Sequence, residues 1–224
     1  MSDIAVGGIL ATDIFALGTD FNPQSSNVDT QLTKASARGA DGDEVASQAH
    51  DGKTTVSCTY IYTGAGTLGV MPVTGLVVGK VAGGYHIDSV SCAFSNNGWP
   101  TITVTGHQHL INVHADGDFA EYTPSIDLPA GFGAADLFAN AGATSSVVSS
   151  TYTLSATHQD VMNKDGNHLA GDNAGATETI TAQYYGVPTL TTTDWIVTSS
   201  NFSDSNSDFD QVNISATKGL TRDA

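Results

Sequence analysis

The sequence predicts an all-β protein in which two pseudo-repeated antiparallel strand units form a β-sandwich or barrel. Three observations support this fold class. The chain has 224 residues, of which 13% are charged, and Thr, Ser, Asn and Gly occupy many of the remaining polar positions. This composition favours strands and turns over long solvated helices. Apolar and polar residues alternate along several segments, and blocks of the first half recur in the second half in the same order.

The recurrence is clearest around an Asp-Gly pair. Residues 41–46 resemble residues 165–170, at an offset of 124 positions. At the same offset, the block 55–60 resembles 179–184. Two copies are too few for an open solenoid, so the repeat predicts a pseudo-symmetric pair of units. Three further blocks match in kind, 32–37 with 152–157, 91–95 with 199–203, and 101–106 with 211–216, the last at an offset near 110.

Each unit is predicted to contain four strands. Val56, Cys58 and Tyr60 alternate with Thr55 and Ser57, as expected for a half-buried antiparallel strand. The same period of two marks the other blocks. The predicted strands lie near 31–38, 45–62, 85–94 and 101–113 in the first unit, and near 150–159, 168–185, 194–202 and 211–218 in the second.

The predicted organisation follows from these strands. Asp41-Gly42 and Asp165-Gly166 are typical of type I′ hairpin turns, which need positive φ. Short helices are suggested by 134–140 and, more weakly, by 13–17. The predicted segments are an extended N-terminal arm (1–30), a first repeat (31–125), a connection with a short helix (126–145), a second repeat (146–220) and a tail (221–224).

The charge argues against nucleic-acid binding. The formal net charge is −16, so the chain is expected to repel phosphates rather than bind them. No stretch of about 18 apolar residues occurs, so no membrane span is predicted. The start of the chain, through Leu17, carries Asp3 and Asp13 but no Lys or Arg, and we expect no secretory signal.

The search for catalytic motifs gives no candidate catalytic or cofactor-binding residue. Phosphate-binding loops, the Gly-x-Ser-x-Gly elbow, His-Glu-x-x-His and Cys-x-x-Cys are all missing from the sequence, and we expect a non-enzymatic protein. Cys58 and Cys92 do not make a disulfide framework. They are interpreted as buried free thiols, although they would be able to pair if their strands were neighbours.

The pair His107 and His109 is a candidate metal site. His107 and His109 lie two residues apart on a predicted strand and so share a face. Two such imidazoles can hold a divalent transition metal, but the preferred interpretation is solvated strand histidines, with no metal. His114 would face the opposite side. The acidic groups Asp204, Asp208 and Asp210, and the Asp116–Asp118 turn, resemble calcium loops only faintly and are interpreted as turns.

Residues 35–46, running into the polar strand at 54–62, resemble virion proteins of tailed bacteriophages, most closely the tail-tube class. The resemblance implies β units that stack as rings, six to a ring or three when the subunit is duplicated. It implies an acidic inner surface that lets DNA pass without specific binding, and contacts to the next ring through the loop 64–84 or the N-terminal arm. The expected location is the virion, after synthesis in the host cytoplasm.

Two alternatives remain open. The first is another virion component, such as a capsid decoration protein, a tail terminator or a baseplate protein, in which the same strand repeats would serve. A carbohydrate-binding or host-surface-binding β-sandwich is the second alternative. Exposed aromatic residues would favour it; Trp195 is expected in the core, whereas Trp99 lies in a predicted turn.

Overall fold

The computed structural model describes residues 12–63, 76–95, 98–110, 119–124, 147–165, 168–185, 195–203 and 211–220. The predicted all-β class is confirmed, and no helix occurs in these ranges. The strands are β1 (Phe21–Arg38), β2 (Glu44–Tyr62), β3 (Val81–Ala82), β4 (Tyr85–Ser95), β5 (Thr101–His109), β6 (Val147–Met162), β7 (His168–Tyr185), β8 (Ile196–Ser203) and β9 (Gln211–Leu220).

All nine strands belong to one antiparallel sheet. The order across the sheet is β1-β2-β5-β4-β6-β7-β9-β8, and the two-residue β3 pairs with β4. The first four strands in this order come from the first predicted repeat and the last four from the second. Each group has the same internal connectivity, because β1, β2, β4 and β5 correspond to β6, β7, β8 and β9. The two units are therefore joined edge to edge by the β4–β6 ladder.

The duplication extends to the pairing of individual residues. Tyr60 pairs with Ile102 in the first unit, and Tyr184 pairs with Val212 in the second. These pairs are related by the offsets of 124 and 110 that the sequence predicts. Irregularities recur at equivalent places as well. Register shifts occur between Pro23 and Ser25 and between Val147 and Ser149, and likewise between Ile87 and Ser89 and between Val197 and Ser199.

One face of the sheet carries the hydrophobic core. Its buried strand residues include Val56, Cys58, Tyr60, Val90, Cys92, Ile102, Val104, Tyr152, Leu154, Ile180, Ala182, Tyr184, Val212, Ile214 and Ala216. Phe15, Val78 and Tyr122 pack over this face from segments outside the long strands. The hydroxyl of Tyr60 donates to Asp13 at 2.9 Å, which fixes the first of these covering segments. Cys58 and Cys92 are buried and free, as predicted.

The opposite face is a partly exposed surface of hydroxyl and amide side chains. Cross-strand contacts join Thr59 to Thr103 (3.1 Å), Ser91 to Thr153 (3.1 Å), Ser89 to Thr105 (2.7 Å) and Gln183 to Gln211 (2.7 Å). The strict alternation of the sequence predicts this polar face, because successive strand residues point to opposite sides.

Four predicted boundaries and matches are corrected by the structure. Residues 21–30, assigned to the N-terminal arm, form the first part of β1. The helix suggested at 13–17 is a turn at residues 14 and 15. The ladders also shift two of the predicted matches: β8 aligns with β4 at an offset of 110, and β6 aligns with β1 at 124. The connecting helix at 134–140 and most of the loop 64–84 lie outside the described residues.

Candidate functional site

Two features of the sheet can carry function: its two open edges and a cluster of histidines where the two units meet. The edges are best understood from the internal joint between β4 and β6. This ladder runs from Ser89 paired with Ser155 to Ser95 paired with Ser149. At its centre Cys92 pairs with Tyr152, and the two side chains are 1% and 0% exposed. The joint is therefore a fully packed part of the core.

The strands equivalent to those of the joint lie at the two ends of the sheet. Within the described chain, β1 pairs only with β2, and β8 pairs only with β9. The position of Tyr152 is taken in β1 by Val28, which is 55% exposed, and the position of Cys92 is taken in β8 by Phe202, which is 50% exposed. Tyr152 and Cys92, which are buried in the joint, thus have exposed apolar counterparts at the open edges, one on β1 and one on β8.

The histidine cluster lies where β4 separates from β6. The β4–β6 ladder ends at Ser89 and Ser155, and the gap beyond it is filled by imidazole rings and by Phe119, which lies 4.0 Å from His86, centroid to centroid. His86, His107 and His109 come from the first unit, and His158, Asp160 and His168 come from the second. Normal alternation breaks here, since Gly106 and His107 are both buried.

Asp160 lies at the centre of one side of the cluster. Its Oδ1 atom is 2.5 Å from Nε2 of His158 and 3.2 Å from Nε2 of both His109 and His168. Lys53 approaches the second carboxylate oxygen at 3.8 Å. The rings of His109 and His168 are stacked, with centroids 3.7 Å apart.

His107 is held from its other side. Its Nδ1 atom lies 2.6 Å from Oδ1 of Asp88. Among the described residues, Nε2 of His107 and both ring nitrogens of His109 are buried without a hydrogen bond, although Nε2 of His109 lies 3.2 Å from Asp160. The ring of His107 is 4.4 Å from that of His158 and 5.2 Å from that of His109, centroid to centroid.

The charges of the cluster are set by burial and by the two carboxylates. Burial lowers the pKa of His107, and the contact with Asp88 offsets only part of this effect. Burial also acts to lower the pKa of His158, but the hydrogen bond and charge of Asp160 outweigh it and raise the pKa. For Asp160 itself, burial disfavours the carboxylate, yet the contacts from His109 and His158 bring its pKa well below the usual range.

The structure changes the interpretation of the predicted histidines. His107 and His109 are 1% and 4% exposed, so the prediction of solvated strand histidines is wrong. His114, the acidic loop with Asp204, Asp208 and Asp210, and the turn 116–118 lie outside the described residues. Sequence reasoning missed His86, His158, Asp160 and His168. The spacing of His158 and Asp160, two residues apart on a strand, matches that of His107 and His109 and was the available signal.

The two tryptophans differ in exposure. Trp195 is buried and contributes to the core, whereas Trp99 is 48% exposed. No helix in the described part of the chain has the length and hydropathy needed to cross a membrane.

No model of a known protein family matches the chain, and no curated protein matches its sequence.

Proposed function

We propose that this chain is a non-enzymatic structural subunit that assembles with copies of itself by adding the β1 edge of one copy to the β8 edge of the next. The observation that carries the proposal is the internal β4–β6 joint. Because β8 is equivalent to β4, and β1 to β6, the chain already contains one example of the contact that its two free edges would make.

The equivalence specifies the register of the contact between copies. By the offset of 110, Phe202 of β8 takes the position of Cys92 in β4. By the offset of 124, Val28 of β1 takes the position of Tyr152 in β6. Phe202 would therefore lie opposite Val28 of the neighbour. The internal joint pairs a small residue on the first strand with an aromatic residue on the second, and the external one would pair an aromatic residue with a small one. The total side-chain volume is therefore similar. Both side chains are already about half buried in the single chain, so burying the remainder contributes roughly 1 kcal/mol each.

The polar face is compatible with the same register. Ser91 contacts Thr153 in the internal joint, and the equivalent pair is Asn201 with Asp29 of the neighbour. An amide donating to a carboxylate is a charge-assisted hydrogen bond. Ser199 would lie opposite Gln31, and Ser200 opposite Thr30.

The contact is heterologous, since one copy uses β8 and the other uses β1. Such contacts generate closed rings or open helical filaments. Rings that stack into a phage tail tube are the arrangement implied by the resemblance of residues 35–46 and 54–62, and we propose the virion as the location. An unpaired edge strand with exposed apolar residues is otherwise an aggregation hazard, which self-assembly in a fixed register would remove.

In this proposal the hydroxyl and amide face would line the channel through which DNA passes. On the central strands, the residues that point to this face are every second residue of six ranges, and none of them is charged. The ranges are 55–59, 89–93, 101–105, 151–155, 177–183 and 211–217. The part of this surface on the central strands is therefore neutral rather than acidic, which differs from what the resemblance implies, and Asp29 on the edge strand β1 adds a carboxylate. The lack of Lys and Arg still removes the groups that bind phosphates.

A charge placed in the proposed contact tests the proposal. We expect Phe202→Asp to weaken self-association by about 100-fold or more, because the carboxylate would be buried without a partner. Sedimentation velocity over a concentration series, with negative-stain electron microscopy, would measure the assemblies formed.

Ile196→Asp is the matched control. Ile196 is 71% exposed on the same strand, but its equivalent, His86, lies beyond the end of the β4–β6 ladder. The control should assemble like the unmodified chain. If the unmodified chain remains monomeric at high concentration, or if both variants behave alike, edge addition is not its mode of assembly.

A further inference from the structure

We propose that the histidine cluster is a binding site for a divalent first-row transition metal, with His107, His109 and His158 as ligands and with Zn²⁺ as the ion most suited to it. The ligands lie within one chain, so this site does not depend on assembly. It would join the two repeats where their backbone ladder ends.

The geometry of the ring nitrogens supports this ligand set. His107, His109 and His158 each offer a ring nitrogen, and the three atoms lie within 4.8 Å of one another. In a tetrahedral site with Zn–N bonds of about 2.0–2.1 Å, ligand atoms are separated by about 3.3 Å. Small rotations about the side-chain bonds therefore suffice to bring the three nitrogens to one ion.

The unpartnered nitrogens are a second observation that points to a ligand. Nε2 of His107 and Nδ1 of His109 are buried and have no hydrogen-bond partner among the described residues. Leaving a buried polar atom unsatisfied costs about 1–3 kcal/mol, and two such atoms in one cluster need a common explanation. A cation between them would satisfy both lone pairs.

The carboxylates lie where metal sites place them. A metal-bound histidine usually donates its other ring N–H to a carboxylate, which fixes the ring orientation and raises its basicity. Here Asp88 contacts Nδ1 of His107, while Asp160 contacts Nε2 of His109 and of His158. Each proposed ligand thus has a carboxylate on the nitrogen that would not bind the ion.

The donor set selects the class of metal. Imidazole nitrogens suit Zn²⁺, Cu²⁺ and Ni²⁺, whereas Ca²⁺ and Mg²⁺ require oxygen ligands. A second triad, His109, Asp160 and His168, also has its ligand atoms within 4.8 Å. We favour the first triad because two of its histidines, His107 and His109, carry the unpartnered nitrogens. The third, His158, has Nδ1 3.3 Å from Oδ1 of Asn173 and would exchange that contact for the ion. The experiment separates the two triads.

The site belongs to the internal joint alone. The residues equivalent to His107 and His109 in the second unit are Thr217 and Gly219, according to the ladder offsets. The position of His158 is taken in β1 by Lys34. A β8–β1 contact between copies would therefore lack these ligands, and each chain would hold one ion.

The test is metal binding by the full chain after removal of metal with a chelator. Isothermal titration with Zn²⁺ should give one ion per chain. At a free Zn²⁺ concentration about 100 times the dissociation constant, the midpoint of thermal unfolding should rise by about 5–10 °C. Co²⁺ added in place of Zn²⁺ would report the coordination geometry through its visible spectrum.

Three variants test the first triad, and a fourth, His168→Ala, tests the second. His107→Ala should abolish stoichiometric binding and the thermal shift. Asp88→Asn should fold normally and weaken Zn²⁺ binding by about 10–100-fold, as expected for a positioning residue. Gln108→Ala, an exposed residue between the two histidines, should bind like the unmodified chain. Circular dichroism of each chelated variant would establish that it folds.

Two results would overturn the proposal. The first is the absence of a thermal shift and of stoichiometric Zn²⁺ binding in the unmodified chain. The second is full binding by His107→Ala together with loss of binding in His168→Ala, which would assign the ion to the other triad.

Discussion

At the scale of single residues, the two repeats act as controls for each other. Gly106 and Ala216 occupy equivalent positions opposite Val56 and Ile180. A Cβ atom on Gly106 would lie 2.4 Å from the carbonyl oxygen of His86 and 3.0 Å from the ring of Phe15. The first repeat therefore requires glycine where the second accommodates a methyl group.

This difference predicts the effect of adding one carbon atom. We expect Gly106→Ala to lower the free energy of unfolding by roughly 1–3 kcal/mol, because the methyl group overpacks against backbone. Urea unfolding in the presence of a chelator would measure it. A Cβ on Gly219 meets nothing within 4 Å, so Gly219→Ala should leave stability unchanged or slightly higher. Equal effects of the two substitutions would contradict the steric explanation.

Buried tyrosines predict how stability depends on pH. Burial is the main factor that raises the pKa of Tyr60, Tyr152 and Tyr184, and the charge of Glu178 adds to it for Tyr152, whose hydroxyl donates to that carboxylate at 2.6 Å. In the unfolded chain these phenols ionise near pH 10. Their contribution is therefore complete below pH 10 and is lost above it, since the unfolded state then binds fewer protons.

The expected loss is up to about 1.4 kcal/mol per pH unit for each tyrosine. Urea unfolding between pH 8 and pH 11 would measure the slope. Tyr184→Phe should reduce the slope by about one proton, and a stability that does not change above pH 10 would show that these phenols ionise normally in the folded protein.

At the scale of strands, the sequence predicts most of the pairing partners. The blocks with offsets of 124 and 110 correspond to β2 with β7 and β5 with β9, because these central strands have one buried face and hence strict alternation. The start of β1 was missed because Pro23 and a run of polar residues are typical of an arm. An edge strand tolerates both, since one row of its backbone groups needs no partner within the sheet.

The site was harder to predict for a related reason. His107 and His109 were visible as a local pattern, but their burial depends on β6 and β7, which reach them only through the β4–β6 joint. No local spacing connects His109 with His158 and His168. The prediction that His107 and His109 share a face was right. Their burial was not predicted, because it depends on the gap beyond the Ser89–Ser155 pair, where the β4–β6 ladder ends.

The proposed contact between edges predicts a disulfide between copies. Residues directly opposite each other on antiparallel strands have Cα atoms about 4.5–5.5 Å apart, which suits a disulfide. The double variant Val28→Cys with Phe202→Cys should therefore give covalent oligomers on a non-reducing gel after mild oxidation. Dithiothreitol should return them to single chains.

A second double variant checks the register. Ile196 lies six residues from Phe202 on β8, or about 20 Å along the strand, so Val28→Cys with Ile196→Cys should cross-link poorly. Efficient cross-linking of both pairs would indicate non-specific association rather than the proposed ladder. Native Cys58 and Cys92 are buried, and we expect them to contribute little.

At the scale of the whole molecule, duplication gives the chain one internal example of the edge contact that we propose between copies. The covered face provides one continuous core across both units, and the other face presents hydroxyl and amide groups. A net charge of −16 favours solubility and opposes unspecific association. Assembly is then expected only where edges match in register and in side-chain volume.

The covalent link between the repeats has a mechanical consequence. A closed ring of such chains would contain two kinds of seam in alternation: one completed as each chain folds, and one made when chains meet. The first benefits from the high effective concentration of tethered partners, whereas the second depends on the concentration of chains. Under load or dilution, such a ring would open at every second seam and release whole chains with the β4–β6 seam intact.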